Sequence, residues 1–483
     1  MRTPLTVFTL GAVLVLGGCS LAPAYEKPAT TPPPEAYKEL GDWKAAEPAD
    51  SQLRGAWWSI YHDDVLDSLE GQVTTSNQDL KAAFARLEQA RAQMRFVRAS
   101  YLPTVTASTD ISRDRVSTNA PTYSTAHSTS RDDLVLQSDL SYELDVFGRV
   151  RNSVAAARAS AQASAGDLAV VDLSLHAELA MDYFTLRSED AQQALLDQTV
   201  AADTRALQLE QNLYNGGAAP LADLAQAQAQ LDTARTQAAD VRLRRAQTEH
   251  AIAVLVDQQA SRFHIDPRPF PLEWAPPPID PGLPSSLLER RPDVAAAERR
   301  VAAANANIGV TRAAYFPLFN LAATIGYEST RAATWLEAPS LLWSVGPQAA
   351  LTLFDGGRRR AANEQARASY DEQVANYRAT VARAYSDVED WLAALRQLER
   401  ENLTQTAAVA ATRTALDQAN YRYNGGAASY LEVVVAENAY LAAQLSAADI
   451  QVRRMNASVL LIKALGGGWE GPTVGGGWEG PTA

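Results

Sequence analysis

Residue types that carry out chemistry in proteins are scattered along this sequence rather than grouped. The 483 residues include five histidines, and no two of them have the four-residue spacing of a helical metal-binding pair. They also have no cysteine companions, and neither a nucleophile elbow nor a phosphate-binding glycine loop occurs. The sequence therefore predicts no enzyme, no cofactor and no metal site. The histidines are His62, His127, His176, His250 and His264.

Cys19 is the one cysteine, and its surroundings suggest a modification site. It follows Arg2, an apolar run and small residues, which together are typical of a secretory signal peptide at residues 1–18. The string LGGC resembles a bacterial lipobox, in which cleavage leaves the cysteine as a lipidated N-terminus. We expect Cys19 to carry fatty acyl chains such as palmitate; a plain signal peptide beside an unmodified cysteine is the alternative. Ser20 follows it, and the absence of aspartate there favours sorting to the outer membrane.

The hexapeptide YNGGAA occurs twice, at residues 214–219 and 423–428, an offset of 209 residues (423 − 214). Its Asn-Gly-Gly core supplies backbone conformations that end a helix. An acidic residue follows each copy at equivalent positions, Asp223 and Glu432. An acid in the first turn of a helix is favoured by the helix dipole, so a structural role competes with a functional one. The repeated core residues are Tyr214, Asn215, Gly216 and Gly217, and Tyr423, Asn424, Gly425 and Gly426.

Two long helices must lead to these hexapeptides. Residues 150–213 contain no proline and one glycine, and residues 358–422 contain neither. Roughly 64 helical residues span ~95 Å, which no globular core requires. New helices follow each hexapeptide to about 256 and 464, so each copy is expected at the tip of a helical hairpin. Apolar residues spaced by seven predict a coiled-coil seam, and ordinary packing of a helical bundle is the alternative. These residues are Val200, Leu207 and Tyr214 in the first long helix, and Val409, Leu416 and Tyr423 in the second.

Amphipathic strands are predicted before each long helix. A helix from about 77 to 100, capped by Asn77, and another beginning at Pro292 each precede a change to period two. The hairpins span about 104–146 and about 319–354, and their strands have roughly the 9–11 residues that cross a bilayer. A soluble sheet packed on helices is the alternative. The apolar positions are Val105, Ala107, Thr109 and Ile111; Leu134, Leu136, Leu140, Tyr142 and Leu144; Leu321, Ala323, Ile325 and Tyr327; and Trp343, Val345, Ala349, Leu351 and Leu353.

Charge and hydropathy restrict the partners. A net charge of −13 argues against nucleic acid, because nothing here neutralises phosphates. Beyond the signal peptide, no stretch approaches the ~20 apolar residues of a spanning helix. Any passage through a bilayer must then be made by β-strands in a closed barrel. Four strands do not close a barrel, so the sequence requires an oligomer without fixing its size.

The domain layout follows from these signals. A proline-rich tether is expected at 19–56, a first repeat at 57–256, a proline-rich linker at 257–291 and a second repeat at 292–465. The remaining residues, 466–483, are rich in glycine and contain GGGWEGPTV followed by GGGWEGPTA. Such composition favours disorder, with partner binding by Trp469 and Trp478 as the alternative.

Several strings in order resemble the TolC-like outer-membrane efflux proteins, in particular their NodT-type lipoprotein branch. They are WWSIYHDDVLDSL, SYELDVFGRVR, LPSSLLERRPDVAAAE, LFDGGRRR and the two YNGGAA copies, and the resemblance covers about residues 57–465. It implies an α+β membrane protein with an internal two-fold repeat. Four transmembrane strands per chain would contribute to a trimeric twelve-stranded β-barrel, continued by a long α-helical, coiled-coil barrel in the periplasm.

The resemblance also implies a function. A homotrimer in the outer membrane would be a passive, gated conduit for drugs and other small toxic compounds. A periplasmic adaptor and an inner-membrane pump would dock at the YNGGAA tips. Asp223 and Glu432 would form a pore constriction, although Val435 stands where the family often has a second acid. The alternatives are a polypeptide secretion channel of the same fold and a lipid-anchored coiled-coil scaffold without a pore.

Overall fold

The structure is a computed structural model that describes residues 20–30, 32–34, 36–40, 55–115, 117, 119, 130–270, 274–279 and 290–467. Its helices and strands, in chain order, are α1 (Asp64–Ser76), α2 (Gln78–Arg98), β1 (Thr104–Arg115), β2 (Ser130–Leu144), α3 (Arg149–Asn215), α4 (Leu221–Leu255), α5 (Pro292–Ala313), β3 (Leu318–Ser329), β4 (Leu341–Ala350), α6 (Arg358–Asn424) and α7 (Tyr430–Ala464). Short 3₁₀ helices lie at Lys38–Leu40, Trp57–Tyr61, Ala99–Tyr101, Ala332–Thr334 and Ala338–Ser340. Cys19 and the tail from 468 to 483 lie outside the described residues.

The two long helical hairpins are copies of each other in length. Helices α3 and α6 each contain 67 residues, and α4 and α7 each contain 35. Every boundary of the second hairpin follows the corresponding boundary of the first by the offset that separates the hexapeptides. The absence of proline lets each helix run without interruption, and each ends at the predicted glycine pair. The two predicted helical hairpins are therefore confirmed.

The chain divides into two compact units, and we name them by content. The strand unit comprises the described parts of residues 1–29, 86–165 and 296–378. The helix unit comprises the described parts of 30–85, 166–295 and 379–483.

The strand unit contains one antiparallel sheet in the order β1-β2-β3-β4. Its register places Ile111 opposite Leu134, Leu140 opposite Ala323, and Ile325 opposite Trp343. Because side chains alternate between faces, this register gathers the apolar positions of all four strands on one face and leaves Thr, Ser, Asp and Gln on the other. The predicted alternation is confirmed, and the four separate patterns form one continuous apolar face.

The fourth strand is shorter than predicted. It ends at Ala350, which pairs with Leu318, the first residue of β3. Pro317 precedes Leu318 and cannot donate a backbone hydrogen bond to extend the ladder. The alternation alone predicts that Leu351 and Leu353 belong to this strand, but both lie beyond its end.

The start of the predicted tether is docked rather than free. Arg312 donates to the carbonyl of Leu21, and Asn305 donates to the carbonyl of Pro23 at 2.9 Å. Lys27 forms an ion pair with Glu298 at 3.1 Å. As the residue number increases along residues 20–29, the residue number of the partner on α5 decreases. This segment therefore runs antiparallel to α5. Proline predicts the extended backbone correctly, but the hydrogen bonds to α5 hold it in place.

The helix unit is built around buried aromatic and aliphatic side chains. Tyr61 is 2% exposed, and its hydroxyl forms a hydrogen bond with the Ser458 hydroxyl at 2.7 Å. Its ring packs edge-on against Phe184. The predicted cap Asn77 accepts from the backbone N–H of Leu80 at 2.9 Å. In the described part of the proline-rich linker, Asp190 accepts from the backbone N–H of Arg268 at 2.9 Å. The linker therefore packs onto this unit at that point.

Candidate functional site

The two YNGGAA copies form the same capped turn. In the first, Gly217 donates to the carbonyl of Tyr214 at 2.9 Å and Ala218 donates to that of Leu213 at 2.8 Å. The second repeats both bonds at the same distances, from Gly426 and Ala427. This pair of bonds is a Schellman motif, which satisfies carbonyls at the end of a helix. Gly217 and Gly426 both have φ of 71°, the left-handed conformation that the motif requires of its glycine.

Identical turns have different surroundings. The side chain of Tyr214 is 39% exposed, whereas its repeat partner Tyr423 is half-buried. Leu221 after the first turn is 61% exposed, and its counterpart Tyr430 is 4% exposed. The rings of Tyr423 and Tyr430 lie 5.7 Å apart in a tilted arrangement. The second turn is thus packed where the first one is open.

An apolar cluster behind the second turn accounts for that packing. Ala227, Ala419, Tyr430, Val433 and Val434 are buried in it, and Leu207, Leu416 and Tyr423 pack against its edge. These last three residues belong to the predicted sevenfold seam, so part of that seam packs against the cluster. Val200 packs in a neighbouring cluster with Leu196, Ala238, Val241 and Leu441. The exposed Tyr214 does not join either cluster.

Buried acids also lie behind the second turn. Glu210 is 1% exposed, and its carboxylate accepts a hydrogen bond from the Tyr423 hydroxyl. Asp203, one heptad earlier on α3, is also 1% exposed and lies near Glu437 on α7, but neither of its carboxylate oxygens has a hydrogen-bond partner among the described residues. Burial first, and then the neighbouring carboxyl, raises the pKa of Glu437 to about 7, while burial raises the pKa of Asp203 to about 6.

The predicted constriction acids lie in unlike environments. Both occupy the first turn of their helices, α4 and α7. Glu432 forms an ion pair with Arg422 at 2.9 Å across the second turn. The residue equivalent to Arg422 in the first hairpin is Leu213, which provides no cation. Asp223 is half-buried, and its charge contributes to raising the pKa of Tyr423, after burial and Glu210. The equivalence expected from the sequence therefore holds for the backbone but not for the charges.

One histidine has an acidic environment that the sequence analysis missed. The Nδ1 atom of His176 lies 2.5 Å from Glu70, and its Nε2 atom lies 3.5 Å from Asp172. Burial lowers the pKa of His176, but hydrogen bonds and charges from the two carboxylates raise it to about 9. Trp58 stacks on the imidazole at 4.4 Å. The four-residue spacing of Asp172 and His176 could have indicated their contact from the sequence. No sequence pattern indicates the contact with Glu70, which lies on another helix. The protonated, covered ring is suited to joining α1 to α3.

The chain next to Cys19 has a defined position in the strand unit. Ser20 donates to the side chain of Asn152 at 3.0 Å, and its α-carbon lies 3.3 Å from the position of a Cβ on Gly148. Gly148 occupies the turn between β2 and α3, with φ of 76°. Cys19 itself is outside the described residues, but its neighbour lies where strand becomes helix.

Neither a helical membrane span nor a metal-binding cluster occurs among the described residues. None of their helices is long and apolar enough to cross a membrane. Across the same part of the chain, no group of three or more histidine, cysteine or acidic side chains is arranged to hold a metal ion.

The sequence profile described as outer membrane efflux protein matches residues 69–256 and 283–467. The chain belongs to the outer membrane efflux protein family. The two matched segments correspond to the two copies of the repeat, and the resemblance recognised in the motifs is confirmed.

Individual relatives agree with this assignment. The chain is 32% identical over 465 residues to the toluene efflux pump outer membrane protein TtgF of Pseudomonas putida, covering 95% of each chain. It is 33% identical over 481 residues to outer membrane protein OprJ of Pseudomonas aeruginosa, covering 97% of each. The outer membrane efflux protein described here is therefore an outer-membrane channel component of an efflux system.

Solved structures show the same fold. The outer-membrane channel OprN matches with a TM-score of 0.85 and 29% identity over 93% of this chain and 100% of that one. The outer membrane channel CmeC of Campylobacter jejuni matches with a TM-score of 0.88 and 26% identity, over 94% and 96%. Helical hairpins joined to a four-stranded sheet are thus the architecture of known outer-membrane channels.

Proposed function

We propose that this protein forms a homotrimeric, passive and gated conduit through the outer membrane for small toxic molecules. The observation that carries the proposal is the four-stranded sheet, whose outer strands β1 and β4 each pair on one side only within the described chain. Unpaired strand edges must be satisfied in a membrane, and pairing β4 with β1 of the next copy does so in a closed barrel. The exposed apolar face of each sheet then contacts lipid.

The class of cargo follows the relatives. TtgF is named for toluene efflux, and OpmQ of Pseudomonas aeruginosa is named for pyoverdine export. Both are small molecules, so the conduit is proposed to carry compounds of that size rather than polypeptides. We propose no catalytic step, because an adaptor and an inner-membrane pump supply the energy.

Conductance in planar bilayers tests the conduit. The purified protein is expected to give discrete channels and to run as a heat-sensitive oligomer on gels. Val345→Lys places a charge on the apolar face of the sheet. Near the bilayer midplane such a substitution costs about 2–4 kcal/mol per chain, so it should abolish insertion. Ser344→Lys, one residue away on the polar face, is the matched control and should insert. An oligomer without conductance would instead favour the poreless scaffold.

We also propose that Cys19 carries the lipid anchor. Besides the sequence motif, the position of Ser20 beside the turn between β2 and α3 supports this proposal. In the proposed assembly this junction lies at the membrane surface, so an acyl chain on the preceding residue would reach the bilayer. Labelling with a radioactive fatty acid should be lost in Cys19→Ser, and labelling that persists would refute the assignment. The variant should still form channels, because the strands insert by themselves.

The adaptor is proposed to dock at both YNGGAA turns. Gly216 and Gly425 are exposed at the surface of each turn, and Gly217 and Gly426, with positive φ, shape its backbone. Alanines at 218, 219, 427 and 428 add a small-residue surface that a partner helix can approach closely.

Asp223 and Glu432 are proposed to constrict the pore at the same end. Three copies would bring six carboxylates near one axis, where they attract cations. The ion pair between Glu432 and Arg422 reduces the negative charge that the second acid offers. Asp223 is therefore proposed to be the stronger of the two.

A further inference from the structure

A cavity of about 290 Å³ in the helix unit belongs neither to the sheet nor to the hairpin turns. Four of its lining residues, Val170, Leu173, Trp391 and Leu460, are apolar and only half-buried. Half-buried apolar side chains around a concavity gain free energy when an apolar group covers them.

The charged residues of the cavity are not equally satisfied. Arg291 binds Asp293 through two hydrogen bonds and also binds Asp387 and the carbonyl of Ala464. Lys463, also in the lining, has no ion pair with any residue in the described ranges. The lining is neutral overall, because it contains two cations and two carboxylates, but Lys463 makes no direct ion pair with a described residue. An apolar wall beside such an ammonium group suits a ligand that combines an apolar ring with a carboxylate.

The chain itself leaves α7 beside this wall. Gly466 has φ of 95°, and a Cβ there would collide with the carbonyl oxygen of Arg290. Gly467 has φ of 59°, and a Cβ there would collide with a δ-carbon of Leu173. Since Leu173 lines the cavity, these glycines start the rest of the chain at its edge.

The residues that follow have the matching chemistry. The sequence continues Gly468, Trp469, Glu470, so an indole ring comes two residues after Gly467 and a carboxylate comes next. Two residues of extended chain reach roughly 7 Å. We propose that Trp469 and Glu470 bind this cavity of their own chain, with the indole on the apolar wall and the carboxylate against the Lys463 ammonium.

The near-duplicate in the tail provides an internal control. Trp478 and Glu479 sit in the same local sequence, nine residues further along. Closing a loop of eleven residues rather than two lowers the effective concentration roughly tenfold, if loop entropy alone decides. The first copy therefore occupies the cavity and the second does not.

Labelling of lysines in the full-length protein tests the contact. An amine-reactive reagent followed by mass spectrometry reports the accessibility of Lys463, with the exposed Lys81 as reference. Trp469→Ala and Glu470→Gln should each raise labelling of Lys463 severalfold. Trp478→Ala and Glu479→Gln should leave it unchanged. Equal labelling in all four variants, whether high or low, would overturn the proposal.

Disulfide trapping gives a second measurement that keeps both tryptophans. Cys19 is the only native cysteine, so an introduced pair can be followed directly. Lys463→Cys with Glu470→Cys should oxidise roughly ten times faster than Lys463→Cys with Glu479→Cys. Equal rates would refute the preference for the first copy. A disulfide joining two chains would show that the tail binds a neighbouring copy instead.

Discussion

The ends of the two helical hairpins have the same sequence and the same backbone but not the same environment. Both turns are Schellman motifs with equal hydrogen-bond lengths and equal φ at the second glycine. The first leaves Tyr214 and Leu221 exposed, whereas the second buries Tyr430 and bonds Tyr423 to a buried acid. A repeated motif therefore specifies a repeated turn, but the residues around it decide whether that turn is an open or a packed surface.

The strongest test of this difference is truncation at equivalent positions. Tyr430→Ala removes a ring that is 4% exposed and should cost about 3–5 kcal/mol, as for other large buried aromatic groups. Leu221→Ala removes a side chain that is 61% exposed and should cost less than about 0.5 kcal/mol. Thermal loss of the helical circular dichroism signal measures both. Similar losses in the two variants would show that the ends are packed alike.

A smaller effect is expected from the tyrosine hydroxyls. Tyr423→Phe leaves the buried Glu210 carboxylate without its donor, which costs about 1–3 kcal/mol. Tyr214→Phe at the exposed turn should be neutral and is the matched control. If Tyr423→Phe were also neutral, the buried hydrogen bond would not stabilise the second hairpin.

The acids behind the second turn should make its stability depend on pH. The pKa values of Asp203 and Glu437 rise from 3.8 and 4.5 to about 6 and about 7. Folded carboxyl groups with raised pKa values bind more protons than unfolded ones, so stability falls as pH rises from about 4 to about 7. The hydrogen-exchange protection factors of residues 203–210 and 430–437, from which the intrinsic pH dependence of exchange has been divided out, should fall over this range.

Replacing one acid of the pair should flatten that dependence. Glu437→Gln replaces a carboxyl group that titrates by a neutral amide of nearly the same shape, and it removes the charge next to Asp203. Asp223→Asn, in the first turn of α4, is the control and should leave the pH profile as it is. A profile that Glu437→Gln does not alter would show that the pair is not its source.

The turn glycines separate docking from capping. Gly217→Ala with Gly426→Ala forces a Cβ into left-handed conformation and should cost about 1–2 kcal/mol at each turn. Gly216 and Gly425 do not have positive φ, and a Cβ at either approaches no closer than 3.4 Å to the neighbouring carbonyl. Gly216→Leu with Gly425→Leu should therefore leave the trimer stable but abolish efflux, measured as drug susceptibility in cells. Normal efflux in that variant would refute docking at the turns.

Replacing the two constriction acids should change stability little, but it should change the block by divalent cations, which single-channel recording measures. Asp223→Ala should weaken block by divalent cations more than Glu432→Ala, because Arg422 already offsets Glu432. Arg422→Ala should strengthen that block while changing stability by no more than about 1 kcal/mol, as for other exposed ion pairs. If all three variants keep wild-type conductance and block, only the helix-dipole role remains for these acids.

Much of the architecture was predictable from short-range patterns. The hexapeptide located both turns, the lack of proline gave both long helices, and period two gave four strands with one apolar face. The end of β4 was not predictable from alternation, because a strand stops where its partner stops, at Pro317. The docking of residues 20–29 was likewise missed, since its bonds go to Asn305 and Arg312, far away in sequence.

The repeat, the helix ends and the φ of the turn glycines follow from local sequence, because they depend on residues within one or two turns of chain. Only the packing of the helices brings Glu210 to Tyr423, Glu70 to His176 and Asp203 near Glu437. The first repeat has Asp203 and Glu210 where the second has Thr412 and Ala419. These differences act only through partners on other helices, so identical turns acquire different burial and different charge once the helices pack.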